Sequence, residues 1–109
     1  MSSYVFIESR DPFESRDLQF VVETAMALRQ RGHAVTVFLT QNGVLGARRN
    51  ASGSPLPRLA QAGARLLADD FSLRERGIME MELGTGIQES NIDALADLIV
   101  QPGVKAIWH

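Results

Sequence analysis

The sequence contains no cysteine. Disulfides, thiolate metal sites and cysteine nucleophiles are excluded together, so any chemistry of this chain proceeds without a thiol of its own. Lysine is nearly missing as well: ten of the eleven basic residues are arginine, and the net charge is −2. With an isoelectric point near 5.6 there is no global positive field to hold a nucleic acid or an anionic membrane surface, and neither is expected as a partner. The arginine excess suits bidentate pairing with carboxylates and phosphates, although codon bias produces the same skew. Long hydrophobic runs are missing too. The opening apolar run, Tyr4 to Ile7, is too short for a secretory signal or a membrane span, which sets the cytoplasm as the expected location. Asn50-Ala51-Ser52 reads as a glycosylation acceptor only in a secreted protein and carries no weight here. Two histidines without helical pairing give no support to a metal site, and no Ser/His/Asp arrangement is recognisable.

What is present describes one globular domain over residues 1–109, with 45% hydrophobic and 22% charged residues. Tyr4-Val5-Phe6-Ile7 predicts a strand. Asp11-Pro12-Phe13-Glu14 has the capping acid, N1 proline and later glutamate of a helix start. Leu18, Val21, Val22, Ala25 and Leu28 then make an apolar stripe that runs to Arg31, with Gly32 closing the helix. Ala34 to Leu39 is apolar on both faces, as in a parallel strand covered on each side. Strand, helix and strand form a βαβ unit, so the sheet is expected to be parallel. Gln41 to Pro57 has no periodicity and several glycines and prolines, which predicts a long loop in the manner of a lid.

Further on, Leu56 to Ala62 predicts a short helix and Ala64 to Ala68 a third strand that stops at Asp69-Asp70. Ser72 to Glu75 has capping-box spacing. Ile78 to Leu83 fits a strand or a helix equally well. Ser90 or Asn91 caps a helix striped by Ile92, Leu95, Ala96 and Ile99, and Val104 to Trp108 is the last strand. The fold class is α/β, with a mainly parallel sheet of four or five strands.

In such sheets ligands bind outside the carboxyl ends of the strands. That rule selects Glu8, Ser9 and Arg10 after the first strand, Thr40, Gln41, Asn42 and Gly43 after the second, and Asp69 and Asp70 after the third. The aspartates suit a general acid or base or a cation, but neighbours on an extended chain point apart, and a helix-capping or solvated role is the plainer reading. Arg48, Arg49 and Arg58 could clamp an anion above the sheet or remain solvated. Gly84-Thr85-Gly86 lacks the third glycine of a dinucleotide loop and the lysine of a phosphate loop, so it reads as a turn. His33 suits the carboxyl end of a helix. Met79 and Met81 are expected in the core.

Taken in order, these pieces resemble the DsrE/DsrF-like family, which includes the TusBCD-type sulfur-relay proteins. The resemblance covers nearly the whole chain. It is carried by Tyr4-Val5-Phe6-Ile7, Arg31-Gly32-His33, Val35 to Leu39 with Asn42-Gly43-Val44, Ala62 to Leu67, Leu73 to Ile78, and the closing helix and strand ending in Trp108. It implies a three-layer α/β/α sandwich that forms a homo-oligomer, a trimer or hexamer, or joins related DsrE-like subunits, with a sulfur-carrier protein as partner. It also implies a cysteine eight residues before the glycine of the Arg76-Gly77 pair, and that position is Asp69. A carboxylate cannot form a persulfide, which excludes the sulfur transfer that a thiol there would perform. The expectation is a non-catalytic subunit or adaptor, without cofactor or metal, that binds a partner protein or a small anion. The alternatives are an enzyme using Asp69, with Asp70 and a loop arginine, for acid/base chemistry, and a nucleotide or flavin binder.

Overall fold

Runs of β-branched and aromatic residues set the strands. In β1 (Ser3–Glu8) the last four residues are buried, and in β2 (Ala34–Leu39) so are Val35, Val37, Phe38 and Leu39. Burial on both faces is what a parallel strand under two helical layers requires. The computed structural model describes residues 2–51 and 53–109. It adds β3 (Arg65–Asp69), β4 (Ile87–Ser90) and β5 (Val104–Trp108), all parallel in the order β4-β3-β2-β1-β5. The chain therefore steps outward from β1 to β4 and then crosses back to place β5 on the other side of β1.

That path divides the helices unequally. The crossover helices α1 (Asp17–Gln30) and α2 (Leu56–Gln61), with α3 (Asp70–Glu75), share one face of the sheet. There Leu18, Val21, Val22, Leu56, Leu59 and Leu73 pack on Phe6, Val37, Leu39 and Leu66. The opposite face is covered by α4 (Ile92–Ile99), whose Leu95 meets Val5, Ile7, Phe38 and Leu67. Asn91 caps α4, its Oδ1 accepting the Ala94 amide at 2.8 Å.

Several local expectations give way to tertiary context. Asp11 does not start a helix: its carboxylate accepts the Phe13 amide at 2.8 Å, and its carbonyl accepts the amides of Glu14 and Ser15. The result is a closed turn, and α1 begins at Asp17, whose amide is taken by Ser15 Oγ at 3.1 Å. The expected lid is not one over its first half. Gln41–Ala47 winds as 3₁₀ turns with Gly43, Val44, Gly46 and Ala47 buried. Ser72 lies inside α3, which is capped one turn earlier by Asp69. Within Ile78 to Leu83, Glu80–Glu82 forms a single 3₁₀ turn and Leu83 bridges to Arg48. Met79 and Met81 are exposed there, not in the core. β4 had no periodic signal, because Ile87 is its one buried residue.

Gly43 fixes how closely the 3₁₀ turns approach the sheet. A Cβ on it would collide with the backbone carbonyl of Glu8, which cannot move aside because its oxygen accepts the Thr40 amide at 3.0 Å. Gly43→Ala is therefore expected to lower stability by about 2–3 kcal/mol, the usual cost of overpacking a rigid site. Chemical denaturation of the two proteins reads this directly, and unchanged midpoints would show that the turns can shift outward.

Candidate functional site

Two side-chain clusters stand at the carboxyl edge of the sheet. The first joins β2 and β3. Asp69 is buried at the end of β3, and its Oδ2 accepts the Ser72 amide at 3.0 Å and the Ser72 hydroxyl at 2.7 Å. Ser72 Oγ in turn accepts the Gln41 amide at 2.8 Å and stands 3.3 Å from Thr40 Oγ1. With the serine proton committed to Asp69, the Thr40 hydroxyl is the donor in that last contact. Gln41 holds a positive φ of 50°, uncommon for a residue with a side chain, where its amide meets Ser72. Asn42 Oδ1 accepts two guanidinium N–H groups of Arg76, at 3.1 and 2.9 Å. This network ties the end of β2 to the start of α3.

Asp69, at the position where the resemblance implies a thiol, is thus a helix cap. Its Oδ1 is also buried and has no partner among the described residues. Asp70 points elsewhere, accepting its neighbour Phe71's amide and pairing with Arg74 at 3.6 Å on the surface. The two carboxylates do not share a site. Ser72→Ala removes a donor to Asp69 and an acceptor for Gln41 in one step. The expected loss is about 2 kcal/mol, because buried polar groups are left short of partners. Thermal unfolding measures it, and an unchanged melting temperature would mean that solvent replaces the hydroxyl.

The second cluster lies where the strand order reverses, between β1 and β5, the place at which open α/β sheets form a crevice. The Ser9 amide and hydroxyl both donate to the His109 carbonyl, at 2.8 and 3.0 Å, and the His109 amide donates to the Ile7 carbonyl at 2.7 Å. These bonds bring the His109 side chain beside the first turn of α1, where its Nδ1 is 3.1 Å from Asp17 Oδ1. Glu8 stands behind them, wholly buried, with Oε1 accepting the Arg10 amide at 3.0 Å.

Among the described residues Glu8 Oε2 and Asp17 Oδ2 are both buried and both lack a donor, yet the two carboxyl groups are within hydrogen-bonding reach of each other. A proton held on Glu8 satisfies both. Burial raises the Glu8 pKa from 4.5 to about 7, opposed by the Arg10 amide, raised further by the hydrogen bond and charge of Asp17, and lowered a little by His109. The imidazole held by Asp17 keeps Nε2 free of any protein partner among the described residues. The arrangement can store one proton and present a carboxylate-oriented base beside it. Asp17 and His109 were not legible as a pair, standing 92 residues apart in sequence.

The raised pKa has a signed consequence. Between pH 4.5 and about 7 the folded chain holds a proton at Glu8 that the unfolded chain releases, so this group's contribution to stability falls as pH rises through that window. Glu8→Gln should remove the slope, on the order of 3 kcal/mol across the window. Denaturant titrations at several pH values test this, and parallel profiles for the two proteins would contradict it.

The remaining expected residues are dispersed. Gly43 packs under the Glu8 carbonyl, as described above. Arg48 and Arg49 project into solvent from a segment bonded to Glu82, Leu83 and Gly84. Arg58 lines a groove at the start of α2 that neither of them reaches. Gly84-Thr85-Gly86 turns the chain into the beginning of β4, whereas a phosphate loop leaves the end of a strand and opens a helix.

A five-stranded parallel sheet between unequal helical layers, with acids and one imidazole at its carboxyl edge, defines a small three-layer α/β/α protein. Residues 2–107 match the DsrE/DsrF-like family, and the chain belongs to it. No curated protein matches the sequence significantly. Among solved structures, the YchN protein of E. coli is similar at 18% identity and a TM-score of 0.86, over 100% of both chains. MTH1491 of Methanobacterium thermoautotrophicum, described as of unknown function, is similar at 23% identity and 0.82, also over 100% of both. BT1422 of Bacteroides thetaiotaomicron, another protein of unknown function, reaches 0.74 at 12% identity, over 99% of this chain and 95% of that one. At these identities the likeness concerns the fold.

Proposed function

We propose that this chain is a non-catalytic DsrE-like subunit of the cytoplasm that assembles, as a trimer or hexamer, with copies of itself or with related subunits in a sulfur-relay setting. One observation carries the reading: the thinly covered face of the sheet presents large apolar side chains to solvent. Ile92, the first residue of α4, and Val100, just after its last, are 53% and 76% exposed, and Trp108, on the same face of β5 as the buried side of Ile7 on β1, is 66% exposed. Isolated exposed hydrophobes are ordinary, but a group of them over one thin layer is the usual mark of a protein contact.

Asp69 supports the same reading. Its Oδ2 is engaged by Ser72 and its Oδ1 is buried, and the absence of cysteine removes persulfide chemistry from the chain. An acid/base role for Asp69 has less support, since a buried cap with one hydroxyl and one amide already bound offers no open face to a substrate. In an assembly the chain would supply surface and binding, with the thiol contributed by a sulfur-carrier protein.

Light scattering coupled to size exclusion tests the proposal. The wild-type chain should elute as a defined oligomer at micromolar concentration, and the double variant Val100→Lys with Trp108→Lys should elute as a folded monomer. A wild-type monomer that also fails to retain a sulfur-carrier protein would overturn the reading.

A further inference from the structure

The crossover helices α1 and α2 both begin at the carboxyl edge of the sheet, and a groove of about 530 Å³ lies between their first turns. Its walls combine two kinds of chemistry. Arg16, at the N-cap of α1, and Arg58, in the first turn of α2, bring two guanidinium groups to it. Neither has a carboxylate within 4 Å among the described residues. The acid in the first turn of α1, Asp17, is engaged with Glu8 and His109 and does not line the groove. Pro12, Phe13 and Pro55 supply flat apolar surface, and the Phe13 ring is 57% exposed.

Local electrostatics favour a negative occupant. The field comes from the two guanidinium groups, since the first amides of the two helices, those of Asp17 and Leu56, already donate to Ser15 Oγ and Ser54 Oγ at 3.1 and 3.3 Å. A guanidinium presents a fork of donors that matches a carboxylate or phosphate, and the exposed ring provides a surface on which a flat group can lie. The volume falls within the range of small-molecule sites and is far too small for a folded partner.

We propose that this groove binds a small molecule carrying an oxyanion on a flat apolar body. Arg16 and Arg58 hold the anion, and Phe13, Pro12 and Pro55 cover the body. The site is separate from the α4 and β5 face, so its occupancy does not depend on whether the chain assembles.

The test uses the whole chain and three probes that share a ring: phenyl phosphate, benzoate and phenol. Amide chemical shifts of Phe13, Arg16, Ser54 and Arg58 should move saturably with phenyl phosphate, benzoate or both, and the stronger of the two identifies the headgroup. Phenol should bind at least tenfold more weakly. Arg16→Gln and Arg58→Gln should each weaken anion binding tenfold or more. Both side chains are exposed, so the melting temperature should stay unchanged and separate lost binding from lost fold. The proposal is overturned if neither anion gives saturable shifts, if the shifts centre on Glu8 and Asn42, or if both variants bind like the wild type.

Discussion

The carbonyl oxygen of Glu8 is the point on which the carboxyl edge of this sheet closes. It accepts the Thr40 amide and so holds β1 to β2, and the 3₁₀ turns after β2 can lie flat on it because position 43 has no side chain. The neighbouring Ile7 carbonyl binds the His109 amide on the other flank, which pins the end of β5. Glu8 points to the same face as Phe6, under α1, and its carboxyl group is buried there. The proton it keeps near neutral pH follows from that geometry.

The edge then divides into parts with different tasks. Between β2 and β3 every good donor is turned inward: Ser72, Thr40 and the Gln41 amide converge on Asp69 or on each other, and Arg76 closes over Asn42. The free energy of that network goes into joining two loops. Between β1 and β5 the imidazole nitrogen facing away from Asp17 has no protein partner among the described residues. At Asp69, where the resemblance implies a thiol, the carboxylate serves as a helix cap.

The fold was largely legible because burial on both faces of β1 and β2 leaves a continuous apolar run that few other architectures explain. Asn91 as a cap, the helix from Leu56 and the final strand could be read for the same local reasons. Misreadings arose where a residue type serves two structures. Asp11-Pro12 suits a helix start and a tight turn equally, and the Phe13 amide completed the turn. Gln41 to Ala47 looked like a lid because glycine signals mobility in a sequence, whereas here Gly43 and Gly46 permit close packing. β4 was silent because an edge strand with one buried residue carries no alternation. Glu8 and Asp69 could be placed at the edge from strand ends alone, but Asp17 and His109 meet Glu8 only through the reversal of strand order, which no local pattern encodes.

The uneven covering of the sheet has a dynamic consequence. One side is held by three helices and the 3₁₀ turns, whereas the other depends on the eight residues of α4 and an edge strand with half its ladder unpaired. Local opening free energy follows buried contact, so α4 and β5 form the unit that detaches at least cost. Its departure would uncover Val5, Ile7, Phe38 and Leu67 together and carry His109 away from Asp17, leaving the Glu8 and Asp17 carboxyl groups open to water. Fraying at that border would then change the protonation of the crevice, and proton uptake would become a reporter of whether the thin side is closed.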